Sequence, residues 1–135
     1  MKEPSKGPLI VGSTGKVGHA LHAVWPKNVT AFWQDRRGGD YRWDVLQEIP
    51  PVWPSEAEGL IGLAGTTQGE HLNDNAALAI ATCELGARYG QRVLIASSQA
   101  VYGRTDAPAT ETTPCMPDTD YGRAKLAMEQ AIYDF

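Results

Sequence analysis

No apolar stretch in this 135-residue chain approaches the length of a bilayer-spanning helix, and Met1 to Pro8 is polar with only a short apolar run after it. That pattern lacks both a membrane span and the long apolar region of a signal peptide. A cytoplasmic protein is expected. There is no Lys/Arg run, and the formal charge is -4, so the surface is not built to neutralise phosphates. Neither nucleic acid nor an anionic membrane is an expected partner. Cys83 and Cys115 stand alone, without CxxC or Cys/His ligand spacing, which fits a reducing compartment better than a disulfide scaffold or a zinc site. Cys83 reads as a small core residue on a helix and Cys115 as a loop thiol; no metal is expected. Internal repeats and low-complexity tracts are also missing.

What remains is a chain of the right size for one domain over 1–135, with 42% hydrophobic residues to fill a single core. Short apolar runs alternate with helical ones, the pattern of a βαβ sheet. Pro8 to Gly12 is a wholly apolar run, the form of a strand buried on both faces. Lys16 to Trp25 carries Val17, Ala20, Leu21 and Val24 at helical spacing and stops before Pro26. Val29 to Gln34 reads as a second strand, ahead of a turn at Arg37 to Asp40, and Tyr41 to Val45 as a short third. Pro50, Pro51 and Pro54 make the stretch from Ile49 to Glu58 a loop rather than a helix. Gly59 to Gly65 is a fourth strand, and Leu72 to Tyr89 an Ala-rich helix closed by Gly90. Arg92 to Ser98 is a fifth strand, Gly103 to Asp120 a loop, and Tyr121 to Tyr133 a final helix.

At the first strand-to-helix junction the sequence GSTGKVG sets Gly12, Gly15 and Gly18 at GxxGxxG spacing. Glycines here allow unusual dihedrals, close approach of a pyrophosphate to backbone, and tight helix packing on the sheet. The helix N-terminus adds amide donors and the positive end of its dipole. A plain turn is the alternative, but strand before and helix after favour a cofactor.

The segment YGRAK puts Tyr121 and Lys125 on consecutive turns of one helix, so both side chains leave from the same face. An ammonium beside a phenol favours the phenolate and suits the pair to exchanging a proton with a substrate hydroxyl or carbonyl. Ser97 and Ser98 end the preceding strand, at the edge where doubly wound sheets hold their ligands. A solvated helix face and an ordinary strand-end serine are the plainer readings of each feature taken alone.

Taken in order, GSTGKVG, the LAG of the fourth strand, Asn75, IASSQAVYG, Glu111 and YGRAKLAMEQ resemble the extended short-chain dehydrogenase/reductase family, the nucleotide-sugar epimerase/dehydratases. The resemblance implies an α/β Rossmann-type, doubly wound parallel sheet of about five strands in order 3-2-1-4-5. It implies an NAD(P)-dependent oxidoreductase, epimerase or dehydratase that transfers hydride at a hydroxyl- or carbonyl-bearing carbon. Ser98 would orient the substrate oxygen, Tyr121 would move its proton, and Lys125 would bind the nicotinamide ribose and tune the tyrosine. Cofactor contacts would come from Gly12, Thr14, Gly15, Lys16, Val17 and Gly18, from Asp44 and Val45 at the adenine, and from Leu63, Ala64 and Gly65. Asn75 matches a structural asparagine. A small-molecule substrate such as a nucleotide sugar, and a homodimer through helices 72–89 and 121–133, are implied as partners.

The choice between NAD and NADP turns on the end of the second strand, where a carboxylate suits the ribose 2′-OH and arginine the 2′-phosphate. Ending that strand at Gln34 leaves Asp35, Arg36 and Arg37 just beyond it and favours NADP; a two-residue shift reverses the choice. The resemblance also implies a protein of roughly twice this length, so the chain is expected to be a fragment truncated before the substrate-binding portion, with weak or absent turnover alone. A non-catalytic NAD(P)-binding or sensing module is the alternative.

Overall fold

The computed structural model describes residues 5–47 and 50–135; Met1 to Pro4, and Ile49 at the start of the proline-rich stretch, lie outside them. The element order is β1 (Leu9–Val11), α1 (Lys16–Val24), β2 (Phe32–Asp35), β3 (Tyr41–Arg42), β4 (Leu60–Gly62), α2 (Asp74–Tyr89), β5 (Val93–Ile95) and α3 (Asp120–Tyr133). Short 3-10 helices at Gly69–Asn73 and Gln99–Tyr102 precede α2 and follow β5. The chain divides into two compact units: one runs to Ala64 and resumes over Ala81–Ala96, the other comprises Gly65–Ile80 and Ser97–Phe135.

The first unit holds the sheet, five strands in the order β3-β2-β1-β4-β5. All its pairings are parallel, with Leu9 opposite Phe32 and Leu60, and Leu60 opposite Val93. Every strand therefore ends on the same edge, and the chain direction of growth reverses beside β1, the position where open α/β sheets form a ligand crevice. The wholly apolar β1 is the centre: Leu9, Ile10 and Val11 are buried. Leu9 and Val11 join Trp43, Ala57, Leu60 and Leu85 in a core against which Phe32, Val45, Trp53 and Tyr89 pack. Trp53 and Tyr89 stack with ring centroids 3.8 Å apart. This contact gives the loop Pro50 to Glu58 its anchor where proline forbids a helix.

The strands are shorter than the apolar runs that encode them, and one boundary moves in the other direction: β2 ends at Asp35, not Gln34. Gln34 is buried and donates from Nε2 to the Trp43 carbonyl at 2.6 Å, so it belongs to the β2–β3 core. The apolar stripe of α1 also differs from expectation. Val17, Ala20 and Val24 are exposed and Leu21 is half-buried; Gly18 is the buried residue of the helix, and the rings of exposed His22 and of Trp25 just past its end stand edge-on to Trp33 at 4.5 and 5.6 Å. Close seating of Gly18 turns its side of the helix inward, and aromatic contact outweighs the aliphatic pattern. Arg88 sits in the last turn of α2, and the helix stops at Gly90 with φ +63, followed by a Gln91 amide bond to the Gly86 carbonyl at 2.8 Å.

In the second unit, Asn75 begins the buried face of α2, and α3 packs on the 3-10 helix Gln99–Tyr102. Gly122 makes that packing possible, since a Cβ there would stand 2.3 Å from the Ala100 carbonyl oxygen. Thr119 caps α3 by accepting the Gly122 amide at 3.0 Å. Among the described residues no helix is long and apolar enough to cross a membrane.

Candidate functional site

In the first unit the turn between β1 and α1 is built by its glycines in different ways. Gly12 has φ +82, and a Cβ on it would lie 2.5 Å from the Ala64 amide nitrogen, so this position seats the turn against the end of β4. Gly18 does the same for α1, with the Ser13 carbonyl oxygen 2.5 Å from its absent Cβ. Gly15 is different. A Cβ there would meet only the Gly12 oxygen at 3.5 Å, an ordinary contact, so the protein itself does not require glycine. Gly15 is also the N-cap of α1, where no side chain caps the first turn. The amides of Lys16, Val17 and Gly18 thus begin a helix whose end is left to another acceptor. Thr14 and Lys16 are exposed beside it.

The ends of β2 and β3 lie on the same edge. Asp35 Oδ2 accepts the Thr14 amide at 3.3 Å and Oδ1 the Arg37 amide at 3.0 Å, fixing the carboxylate between the glycine turn and the following loop. Arg42 is opposite Asp35 in the sheet and donates from Nε to the Arg36 carbonyl at 3.4 Å. Arg36, Arg37 and Arg42 line an open cavity of about 450 Å³ with Trp43 and Asp44. Asp44 accepts the Leu46 amide at 3.0 Å, which fixes its carboxylate at the cavity wall, whereas Val45 turns to the core. Leu63 extends the β4 pairing through its amide to the Val11 carbonyl at 2.8 Å, and half-buried Ala64 packs under Gly12.

The catalytic candidates fall in the second unit. Gly65 leaves a gap where a Cβ would be 2.6 Å from Asn75 Oδ1 and 3.6 Å from Lys125 Nζ. Asn75 is buried and fully engaged: it accepts the Thr66 amide at 3.0 Å and donates to the carbonyls of Thr66 at 3.0 Å and Leu72 at 2.8 Å. Its role is to fold the segment after Gly65 back onto α2. Lys125 is buried on α3 one turn beyond half-buried Tyr121, and its Nζ approaches Met128 Sδ at 3.7 Å. Burial pushes the Lys125 ammonium below its ordinary range, and the Glu129 carboxylate partly opposes this.

Ser98 is the N-cap of the 3-10 helix, its Oγ accepting the Ala100 amide at 3.2 Å, which leaves the hydroxyl proton for another acceptor. It lines a cavity of about 490 Å³ with Tyr102, Arg104, Thr105, Asp118 and Thr119. Ser97, its neighbour, donates from Oγ to Glu129 Oε1. Ser97 was legible only as a strand-end hydroxyl, and Glu129 and Arg42 were not singled out by the sequence. Glu129 carried a signal all the same, since it continues the spacing of Tyr121 and Lys125 by one more turn of the same face. Of the cysteines, Cys83 is half-buried on α2, where burial raises its thiol, and Cys115 is exposed.

A family model described as the NAD dependent epimerase/dehydratase family matches residues 8–135. A comparison with the curated proteins returns no match. Among solved structures, the chain is similar to a short-chain dehydrogenase/reductase superfamily protein from Agrobacterium tumefaciens with bound NAD, at TM-score 0.71, 23% identity and 93% coverage. It is similar to UDP-glucose 4-epimerase from Bifidobacterium longum in complex with NAD+ and UDP, at TM-score 0.73, 19% identity and 96% coverage. A third neighbour is an NAD-dependent NDP-hexosamine 5,6-dehydratase of tunicamycin biosynthesis, at TM-score 0.75, 20% identity and 96% coverage. The chain spans 44%, 48% and 49% of these proteins respectively.

Proposed function

The chain belongs to the NAD dependent epimerase/dehydratase family, and from that premise we propose that it supplies the NAD-binding and acid/base residues of an enzyme acting on a nucleotide sugar. The observation that carries the cofactor reading is Gly15, a glycine that the protein's own packing does not need, at the uncapped start of α1. It leaves room for a pyrophosphate against the amides of Lys16, Val17 and Gly18. Asp44, in the cavity lined by Arg36, Arg37 and Arg42, would face the adenine end; Leu63, Ala64 and Gly65 would line the dinucleotide.

NAD is the dinucleotide we assign. With β2 ending at Asp35, the strand-end position is a carboxylate, which accepts from a ribose 2′-OH and repels a 2′-phosphate. Arg36 and Arg37, the basis for favouring NADP, follow that carboxylate and do not replace it.

When bound, the nicotinamide supplies the hydride chemistry. The residues of this chain do the rest. Tyr121 exchanges a proton with the substrate oxygen, Ser98 donates its free hydroxyl proton to that oxygen, and Lys125 contributes positive charge one turn from the phenol. Reduction, epimerisation and dehydration all use such a set. Further sequence would complete the substrate pocket, consistent with the chain spanning less than half of each neighbour. Pairing of α2 and α3 with those of a second copy is part of the same reading.

The test is Tyr121→Phe in a protein that carries this chain with its natural flanking sequence. Turnover of a nucleotide sugar should disappear while NADH binding persists; equal turnover in the variant refutes the assignment.

A further inference from the structure

Lys125 is a buried cation, and a buried cation needs a compensating charge or dipole close by. Glu129 lies one turn further along α3, and its charge acts on Lys125. The same carboxylate accepts the Ser97 hydroxyl through Oε1. Ser97 precedes Ser98, whose Oγ caps the next 3-10 helix. One carboxylate is thereby connected to both the lysine and the serine segment.

We propose that Glu129 is a positioning residue that holds the Lys125 ammonium and the Ser97–Ser98 segment in a single arrangement, with Ser97 orienting the carboxylate. This rests on the assignment of Ser98, Tyr121 and Lys125 as the acid/base set, and adds the group that organises them. A carboxylate free to rotate into solvent would be screened by water and would act weakly on Lys125. The Ser97 hydrogen bond restricts that freedom. Tyr102 on one 3-10 helix packed against α3, and Glu70 and His71 on the other, are the titratable groups those elements carry; His71 is paired with Asp74 at 3.2 Å. Tyr121, Asp120 and Arg123 share α3 with Lys125, and Arg123 is paired with Asp120 at 2.6 Å. Glu129, four residues beyond Lys125 on α3, is an anion whose charge raises the Lys125 midpoint.

The consequence has a definite sign. Burial lowers the Lys125 titration midpoint and Glu129 raises it, so removing the carboxylate charge must lower it further. The experiment follows Lys125 through its ε-carbon resonance in ¹³C-lysine-labelled protein over a pH titration, the signal being assigned by its loss in Lys125→Met. Glu129→Gln should lower the midpoint. Ser97→Ala should lower it by a smaller amount, and Glu129→Asp should restore part of the wild-type value. An unchanged midpoint in folded Glu129→Gln overturns the proposal. Should that variant fail to fold, Ser97→Ala decides: a midpoint equal to wild type overturns it. None of these readings requires turnover or cofactor. A chain that shows the shifts and binds no NADH retains the positioning role and loses the functional assignment.

Discussion

Asp35 Oδ2 accepts the amide proton of Thr14 at 3.3 Å, which ties the last residue of β2 to the glycine turn ahead of α1. With Oδ1 on the Arg37 amide, the carboxylate is held in place while keeping lone pairs for a ligand hydroxyl. A fixed anion at this position selects against a phosphate monoester. Asp35→Ser should therefore bring NADPH affinity up toward that for NADH, measured by fluorescence titration of both. Loss of the two amide bonds should lower stability by about 1 kcal/mol.

Gly12 and Gly15 should respond oppositely to alanine. Gly12→Ala places a Cβ against the Ala64 backbone at a positive φ and should destabilise the chain by about 2–4 kcal/mol in urea unfolding. Gly15→Ala should unfold within about 0.5 kcal/mol of wild type, because nothing in the protein crowds it.

Asn75→Leu leaves the Thr66 amide and the carbonyls of Thr66 and Leu72 without their side-chain partner. A loss of about 2–4 kcal/mol is expected on that ground, read as a fall in the urea midpoint. A change below half a kcal/mol, about the ordinary surface effect, would remove Asn75 from the structural role given to it.

Much of the architecture is written in composition and spacing. The wholly apolar β1 could only be a doubly buried strand, and the glycine spacing after it marked the turn. Less visible was what depends on three-dimensional closure. The end of β2 shifted to Asp35 because Gln34, a polar residue that looked like a strand end, is satisfied in the core by the Trp43 carbonyl. The seating of α1 was hidden because it rests on Gly18 and on ring contacts of His22 and Trp25 with Trp33, whereas Val17, Ala20 and Val24 of the expected stripe are exposed and only Leu21 is half-buried. The tie between Glu129 and the Ser97 hydroxyl is invisible in the sequence because the two lie 32 positions apart.

Lys125 also sets a pH dependence. Its folded-state pKa lies below the unfolded value of 10.5, so between the two the unfolded chain binds the extra proton and stability rises with pH. The contribution is complete above 10.5 and lost as pH falls through the folded value. Relative to Lys125→Met, wild type should gain stability in urea unfolding between neutral pH and pH about 10. A wild-type stability that stays constant relative to Lys125→Met, or falls, contradicts the burial of a charged lysine.

The most direct measurement is calorimetric titration of NADH into the wild-type chain and into Gly15→Ala. One NADH should bind per wild-type chain, more tightly than NADPH, and binding should fall below detection in folded Gly15→Ala. Absence of NADH binding by the wild-type chain, or equal binding by the two proteins, would contradict the assignment of the β1–α1 turn as a dinucleotide cradle.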